Sequence, residues 1–249
     1  MIETEIRMRE LDAKADSLQL GPADIDGLTT VVDALADQAR LRGALSDPTL
    51  SGDARSELAL RLLKGRVSAK AAAVVAEAAA HCRGPRDLED LVERSTIRAN
   101  LEVGGEIDQV SEEIFRFARA VQGDADLLKT LTDPRIGLKA RQELVSTLLG
   151  AKARPQSIWL VQRALAFRGR PLVKTLDSYV ELAAQVRAST VARVTVAQPL
   201  SDEQIAAIKA QLVRIYGGPI DLRIELDPEV LGGVRIQVGD EIIDGTIQN

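Results

Sequence analysis

Apolar residues along the first 188 positions recur mostly at helical spacing. Ile6, Met8, Leu11, Ala15 and Leu18 predict a helix from Glu3 to Gln19 that stops at Gly21-Pro22. A second run starts near Ala23 and carries Leu28, Val31, Val32, Leu35, Ala39 and Leu45 to the Asp47-Pro48 break. Two shorter helices follow, Gly52 to Leu63 and Ser68 to Cys82, with Ser68 as N-cap and Gly84-Pro85 as a stop. From Arg86 a longer run reaches about Gln122. The adjacent Gly104 and Gly105 each cost about 1 kcal/mol inside a helix, which predicts a kink or break there.

Beyond Asp133 the pattern repeats. Leu45-Ser-Asp-Pro-Thr-Leu-Ser-Gly-Asp-Ala-Arg-Ser-Glu-Leu aligns without a gap on Leu131-Thr-Asp-Pro-Arg-Ile-Gly-Leu-Lys-Ala-Arg-Gln-Glu-Leu. Asp47 to Asp133 and Arg55 to Arg141 share one offset of 86 residues. Leu62-Leu63 matches Leu148-Leu149, and Arg83-Gly-Pro85 falls close to Arg168-Gly-Arg-Pro171. A helical unit has been duplicated. Two copies make a compact double bundle rather than an open solenoid.

After Ser189 the period changes from helical to alternating. Ala192, Val194 and Val196 alternate with Arg193 and Thr195, as in a half-buried strand. Ser201-Asp-Glu-Gln204 has the form of a capping box, and Ile205, Ile208, Leu212 and Ile215 form one stripe ending at Gly217-Gly218-Pro219. Ile220, Leu222, Ile224 and Leu226 alternate with polar residues, as do Val234, Ile236 and Val238 before a Gly239-Asp240 turn. The expected fold is α+β and mainly α. Two tandem helical bundles, 1–103 and 104–188 sharing the helical stretch 86–122, precede a small strand-helix-strand-hairpin domain at 189–249.

Composition narrows the chemistry. The chain has 249 residues, 45% hydrophobic but only 2% aromatic, so its core is aliphatic. One His and one Cys exclude a disulfide within the chain and most metal sites. A net charge of −5 argues against nucleic-acid binding. The segment from Ser189 to Asn249 holds five basic and nine acidic residues, a net of −4, and forms a separate electrostatic unit. Val67 to Ala80, the most apolar stretch, is interrupted by Lys70 and Glu77 and is too short for a bilayer. The first residues lack the layout of a signal peptide, which makes a reducing cytoplasmic compartment the expectation.

No motif predicts catalysis, a cofactor or a metal. His81 and Cys82 are adjacent on a helix, where side chains diverge by about 100°, so they cannot face each other as a nucleophile pair. Asp24-Ile-Asp26 and Asp124-Ala-Asp126 stand at helix ends and predict caps. Leu231-Gly-Gly-Val-Arg lacks the phosphate-loop form, and its glycines predict a turn between strands. The remaining function is contact with other proteins.

Leu226-Asp-Pro-Glu-Val-Leu-Gly-Gly-Val-Arg-Ile-Gln-Val-Gly-Asp-Glu-Ile-Ile-Asp-Gly-Thr-Ile247 closely resembles the signature near the end of the ATP synthase δ subunit family, whose mitochondrial counterpart is the oligomycin-sensitivity-conferring protein. Its signature positions here are Asp227, Pro228, Leu231, Gly232, Gly233, Gly239, Asp240, Asp244 and Gly245. Pro199-Leu-Ser-Asp-Glu-Gln204, Ile215-Tyr-Gly217 and the Asp133-Pro134 element are also similar to that family. Glu102-Val-Gly-Gly-Glu-Ile-Asp-Gln-Val-Ser-Glu-Glu-Ile-Phe-Arg-Phe117 resembles the joining segment of bacterial forms with an extra bundle-like insertion.

The resemblance implies a non-catalytic stator subunit of a bacterial F-type ATP synthase. Such a subunit links the catalytic head to the peripheral stalk at the cytoplasmic face of the membrane, touching the membrane only through the complex. It implies two partners, the N-terminal helix of the head's α subunit in a bundle groove and the b-type stalk subunit at the C-terminal part. By position, the groove draws on Leu172, Leu176, Tyr179, Val180 and Ala183 of one helix, facing Leu88, Leu91, Val92 and Ser95 of another. The helix over 86–101 would close the first bundle and open the second, giving two grooves with a shared wall and a second partner site in the first copy. The competing expectation is an unrelated helical adaptor with a similar tail.

Overall fold

The computed structural model describes residues 2–104, 106–189, 191–216, 220–227, 234–238 and 241–244. They form two compact units, one of Met1–Ala15 with Leu20–Ala183, the other of Asp16–Gln19 with Ala184–Asn249.

The first unit carries the duplication helix for helix. After α1 (Ile2–Leu18) come α2 (Pro22–Asp37), α3 (Ala39–Leu45), α4 (Gly52–Leu63), α5 (Ala69–His81) and α6 (Pro85–Gly104). They recur as α7 (Ile107–Gly123), α8 (Ala125–Thr132), α9 (Leu138–Leu149), α10 (Pro155–Ala166) and α11 (Leu172–Ser189). The apolar stripe repeats at the same offset. Leu28, Val31, Val32 and Leu35 of α2 and Ile114, Phe117, Ala118 and Val121 of α7 are all buried. The Asp-Pro turns repeat too. Asp47 Oδ1 accepts the Thr49 N–H and Asp133 Oδ1 the Arg135 N–H, each at 2.9 Å. Hydrogen bonds from Thr49 and from Arg135 hold the two carboxyls below the usual aspartate range.

Two helix boundaries teach local physics. The sequence reads as one run from Ala23 to Leu45, yet the chain breaks at Gln38 between α2 and α3. Arg42 holds that break by donating to the freed carbonyls of Leu35 and Ala36. The matching break in the second copy is an ordinary cap. Asp124 accepts the N–H groups of Asp126 and Leu127, satisfying two orphan donors of α8. The expected break at Gly104-Gly105 is present, since α6 ends at Gly104 and α7 starts at Ile107.

Helix α6 is the shared wall. It packs on α2, α3 and α5 of the first copy and on α7 and α10 of the second. Leu88, Leu91, Val92, Ser95 and Ala99 share one helical face and are buried. Glu93, Ile97 and Asn100 lie on the opposite side, where Glu93 meets Arg163 of α10 and the Asn100 carbonyl accepts from Gln156. Helices α4 and α5 come close at Gly52, where an added Cβ would sit 2.8 Å from the Ala80 carbonyl oxygen.

The second unit contains β1 (Val191–Val196), α12 (Asp202–Tyr216), β2 (Asp221–Leu226), β3 (Val234–Val238) and β4 (Glu241–Asp244). The sheet order is β2-β1-β3-β4, with β1 and β2 parallel across α12 and the other pairs antiparallel. This is the expected strand-helix-strand-hairpin. The capping box forms as expected. The Ser201 N–H donates to Gln204 Oε1 at 2.9 Å, and the Gln204 N–H returns to Ser201 Oγ at 3.3 Å. Ala192, Leu212, Ile220 and Val238 form the core, with Ile208, Leu222 and Ile236 packed against it. The alternation of β2 is only half used, because Ile224 and Leu226 stay exposed on this edge strand.

Candidate functional site

The eight side chains predicted to line a groove fall into separate environments. Leu88, Leu91, Val92, Leu172, Leu176, Tyr179 and Ala183 are buried in the unit's interior, and only Val180 is partly exposed. Leu88 and Leu91 lie far around α6 from Glu93, the residue that meets Tyr179 of α11, with Val92 about 100° from it. Seven of the eight are thus interior side chains rather than the open lining of a groove. On each helix they form the apolar stripe by which it joins the bundle.

A buried polar cluster bridges the two copies. Arg163 Nε donates to Glu93 Oε2 at 2.8 Å, and its Nη1 donates to Asp33 Oδ1 of α2 at 2.6 Å. Tyr179 Oη donates to Glu93 Oε1 at 2.5 Å. Glu93 is 1% and Arg163 4% exposed, so this is a buried pair with its remaining hydrogen-bond capacity largely used. Burial pushes the Glu93 carboxyl up, against the pull of Arg163 and the Tyr179 hydroxyl. Burial also raises the Tyr179 phenol well above its usual value, and the neighbouring Glu93 adds to it. Further along, Arg168 pairs with Asp37 at 3.4 Å and Arg170 with Asp90 at 3.6 Å. Arginines from α10 and the α10–α11 connection thus reach carboxylates of α2 and α6, the outer two pairs at the surface.

The corresponding seam of the second copy, between α7 and α11, is differently built. Asp33 is replaced by Arg119 at the 86-residue offset, and Arg119 pairs with Asp177 of α11. Its guanidinium also lies 5.4 Å from the Phe115 ring centroid. Phe115 is 46% exposed on α7, while Val173 and Val180 are partly exposed one turn either side of Asp177. Sequence reasoning missed Phe115. The signal was its place, one residue off the buried Ile114–Phe117–Val121 stripe of a strongly amphipathic helix. At the far end, Glu113 holds the start of α10. Its Oε2 accepts the Arg154 N–H and the Ser157 hydroxyl, and its Oε1 accepts from the Arg154 guanidinium at 2.6 Å. Burial opposes ionisation, but these bonds outweigh it and hold the Glu113 carboxyl below its usual range.

The other candidates resolve into structure. Asp24 accepts the Gly21 N–H at 2.8 Å and the Ser68 hydroxyl at 2.5 Å, so it caps α2 and ties it to α5. His81 Nε2 lies 2.9 Å from Glu77, whereas the buried Cys82 thiol reaches the Ala79 carbonyl, so the two are not a reactive pair. Among the described residues, no group of three or more His, Cys, Asp and Glu could hold a metal ion. Also among them, no helix is long and apolar enough to cross a membrane. In the C-terminal signature, Asp227 is described, and its N–H donates to the Val196 carbonyl at 3.0 Å. Asp244 ends β4 in register with Arg235. Pro228, Leu231, Gly232, Gly233, Gly239, Asp240 and Gly245 lie outside the described residues.

The described residues thus define a mainly helical protein, a duplicated bundle followed in the chain by a small α/β unit. Residues 98–249 match the family model described as ATP synthase delta (OSCP) subunit. The chain is 41% identical over 243 residues to the ATP synthase subunit delta of Streptomyces coelicolor, covering 95% of this chain and 89% of that protein. It is 40% identical over 243 residues to the counterpart of Streptomyces griseus subsp. griseus, covering 95% and 90%. With that of Salinispora arenicola it shares 40% over 230 residues, covering 90% and 84%. The chain belongs to the ATP synthase delta (OSCP) subunit family, whose members are structural rather than catalytic subunits.

Proposed function

We propose that the chain is the stator subunit that ties the α/β catalytic head of a bacterial F-type ATP synthase to its b-type peripheral stalk. It holds the head still at the cytoplasmic face of the membrane, so that proton flow drives ATP synthesis. In this reading it meets the membrane only through the complex.

The observation that carries the reading is the open α7/α11 seam. An amphipathic helix docks by apolar anchors spaced i, i+3, i+4 and i+7. Phe115, Val173 and Val180 offer apolar surface for such anchors, and the Arg119–Asp177 pair offers charges of both signs beside them. The N-terminal helix of the α subunit is the proposed occupant. Leu172, Leu176, Tyr179 and Ala183 serve it indirectly, by fixing α11 through the core. The b-type subunit is assigned to the C-terminal unit, where Ile215, Ile224 and Leu226 are exposed, Leu226 to 59%. Residues 1–103 and 104–188 act as the two copies and 189–249 as the stalk-facing part.

Reconstitution with head, stalk and membrane sector tests this. Omitting the chain abolishes ATP-driven proton pumping while ATP hydrolysis by the head persists. Pumping that is unchanged without the chain would overturn the stator role.

A further inference from the structure

Helices α4 and α5 touch tightly at Gly52 and Ala80, and at their other end they leave an open depression of about 230 Å³. Leu60, Leu63, Val67 and Ala72 form its apolar walls, and Lys64 and Gly65 of the connecting turn complete it. That volume is below the roughly 300–1,000 Å³ of clefts that hold small molecules. It suits one or two apolar side chains delivered by another chain.

The charge along its own segment is one-sided, while Asp24 of α2, which accepts the Ser68 hydroxyl at 2.5 Å and lies near Lys70, is a carboxylate beside its rim. From Ala59 to Ala76 the sequence has Arg61, Lys64, Arg66 and Lys70 and no carboxylate, in a chain of net charge −5. Arg61, Lys64 and Arg66 are exposed, and among the described residues their side chains form no ion pair. Leu60 and Leu62 beside them are 43% and 39% exposed. The second copy lacks this combination. At the 86-residue offset Leu60, Ala72 and Ala76 become Ser146, Ile158 and Gln162. There Gln162 spans the helix pair, donating to Ser146 Oγ at 2.9 Å and to the Gln142 carbonyl at 3.1 Å. Of the two cations in the matching stretch, Arg154 is taken by Glu106 and Glu113.

We propose that the α4/α5 depression of the first copy is a docking site for an acidic amphipathic helix of a partner protein, with its apolar anchors in the depression and its carboxylates on Arg61, Lys64 and Arg66. The site is built from α4, α5 and their connecting turn and does not depend on the stator assignment. A membrane surface fits less well. An interfacial helix presents a long convex apolar face, whereas the apolar face of α5, with Ala71, Val74, Val75 and Ala78, is buried in the bundle.

The test uses the full chain and a fluorescein-labelled helical peptide with Leu at i, i+3, i+4 and i+7 and Glu on its flanks. Its Glu-to-Lys counterpart and phosphatidylserine-rich vesicles are the comparison probes. Anisotropy titration is expected to show binding of the acidic peptide that weakens with salt and falls about tenfold in Lys64→Glu/Arg66→Glu. Leu60→Asp is expected to weaken it similarly, while Lys152→Glu in the second copy leaves it unchanged. Unaltered thermal melting of these surface variants confirms that they fold. Equal binding of the two peptides, no binding of the acidic one, indifference to the three substitutions, or their loss of vesicle binding instead would each overturn the proposal.

Discussion

The α2/α6 seam and the α7/α11 seam descend from one helical unit, yet arginines of the second copy reach across to the first, while the second pairs within its own copy. One position accounts for much of the difference. Asp33 on α2 receives Arg163 from α10, while the matching Arg119 on α7 turns to Asp177 of its own copy. Reversing that charge changes which helix the seam attracts. The first seam also holds Glu93, which is buried and would be costly without both Arg163 and the Tyr179 hydroxyl. The two copies thus differ in how their matching helices are tied.

Removing the arginine should break this comparison most severely. Arg163→Met leaves Glu93 buried without its cation, and about 3–5 kcal/mol of stability should be lost, read as a lower denaturant midpoint. Glu93→Leu with Arg163→Met should cost clearly less than the two single changes added together, because the pair fails as a unit. A cost of under 1 kcal/mol for Arg163→Met would mean that the copies are held by apolar packing alone.

A smaller effect is expected where the second copy anchors its own α10. Glu113→Gln should destabilise by about 1–3 kcal/mol at neutral pH, since the amide cannot serve Arg154 and Ser157 equally. The folded-state carboxyl titrates below its unfolded value, so its contribution is present above the ordinary glutamate range. As pH falls below that range and through the lowered folded-state value, the gap between wild type and Glu113→Gln should close. A gap that widens in acid contradicts the assigned bonds.

The open seam should respond least in stability and most in binding. The Arg119–Asp177 pair is exposed at 41% and 42%, and Asp177→Asn should shift stability by less than about 1 kcal/mol. Phe115→Ser should leave melting nearly unchanged and weaken binding of an α-subunit N-terminal peptide at least about tenfold, as loss of an aromatic anchor does.

How much of this was legible in the sequence depended on range. The ungapped repeat around Asp47 and Asp133, the Ser201–Gln204 capping box and the limits of α4 all rest on residues within a turn or two of each other. The break at Gln38 was not legible, because no glycine or proline marks it and Arg42 supports it from the next helix. The buried stripes at Leu88–Val92 and Leu172–Ala183 were visible as apolar faces. Spacing alone could not say whether such a face meets the bundle or a partner. The Arg163 cluster draws on α2, α6, α10 and α11, with Asp33 and Arg163 130 residues apart, and no local pattern announces such a meeting. Phe115 was legible in principle, as a large apolar residue displaced from its helix's stripe.

Hydrogen exchange of the full chain, with and without the N-terminal peptide of the α subunit, tests the contrast between the seams most directly. Added protection confined to α7 and α11, with α2 and α6 unchanged, is the predicted result. Protection of α2 and α6 instead would show that the first copy opens to partners and would contradict the account.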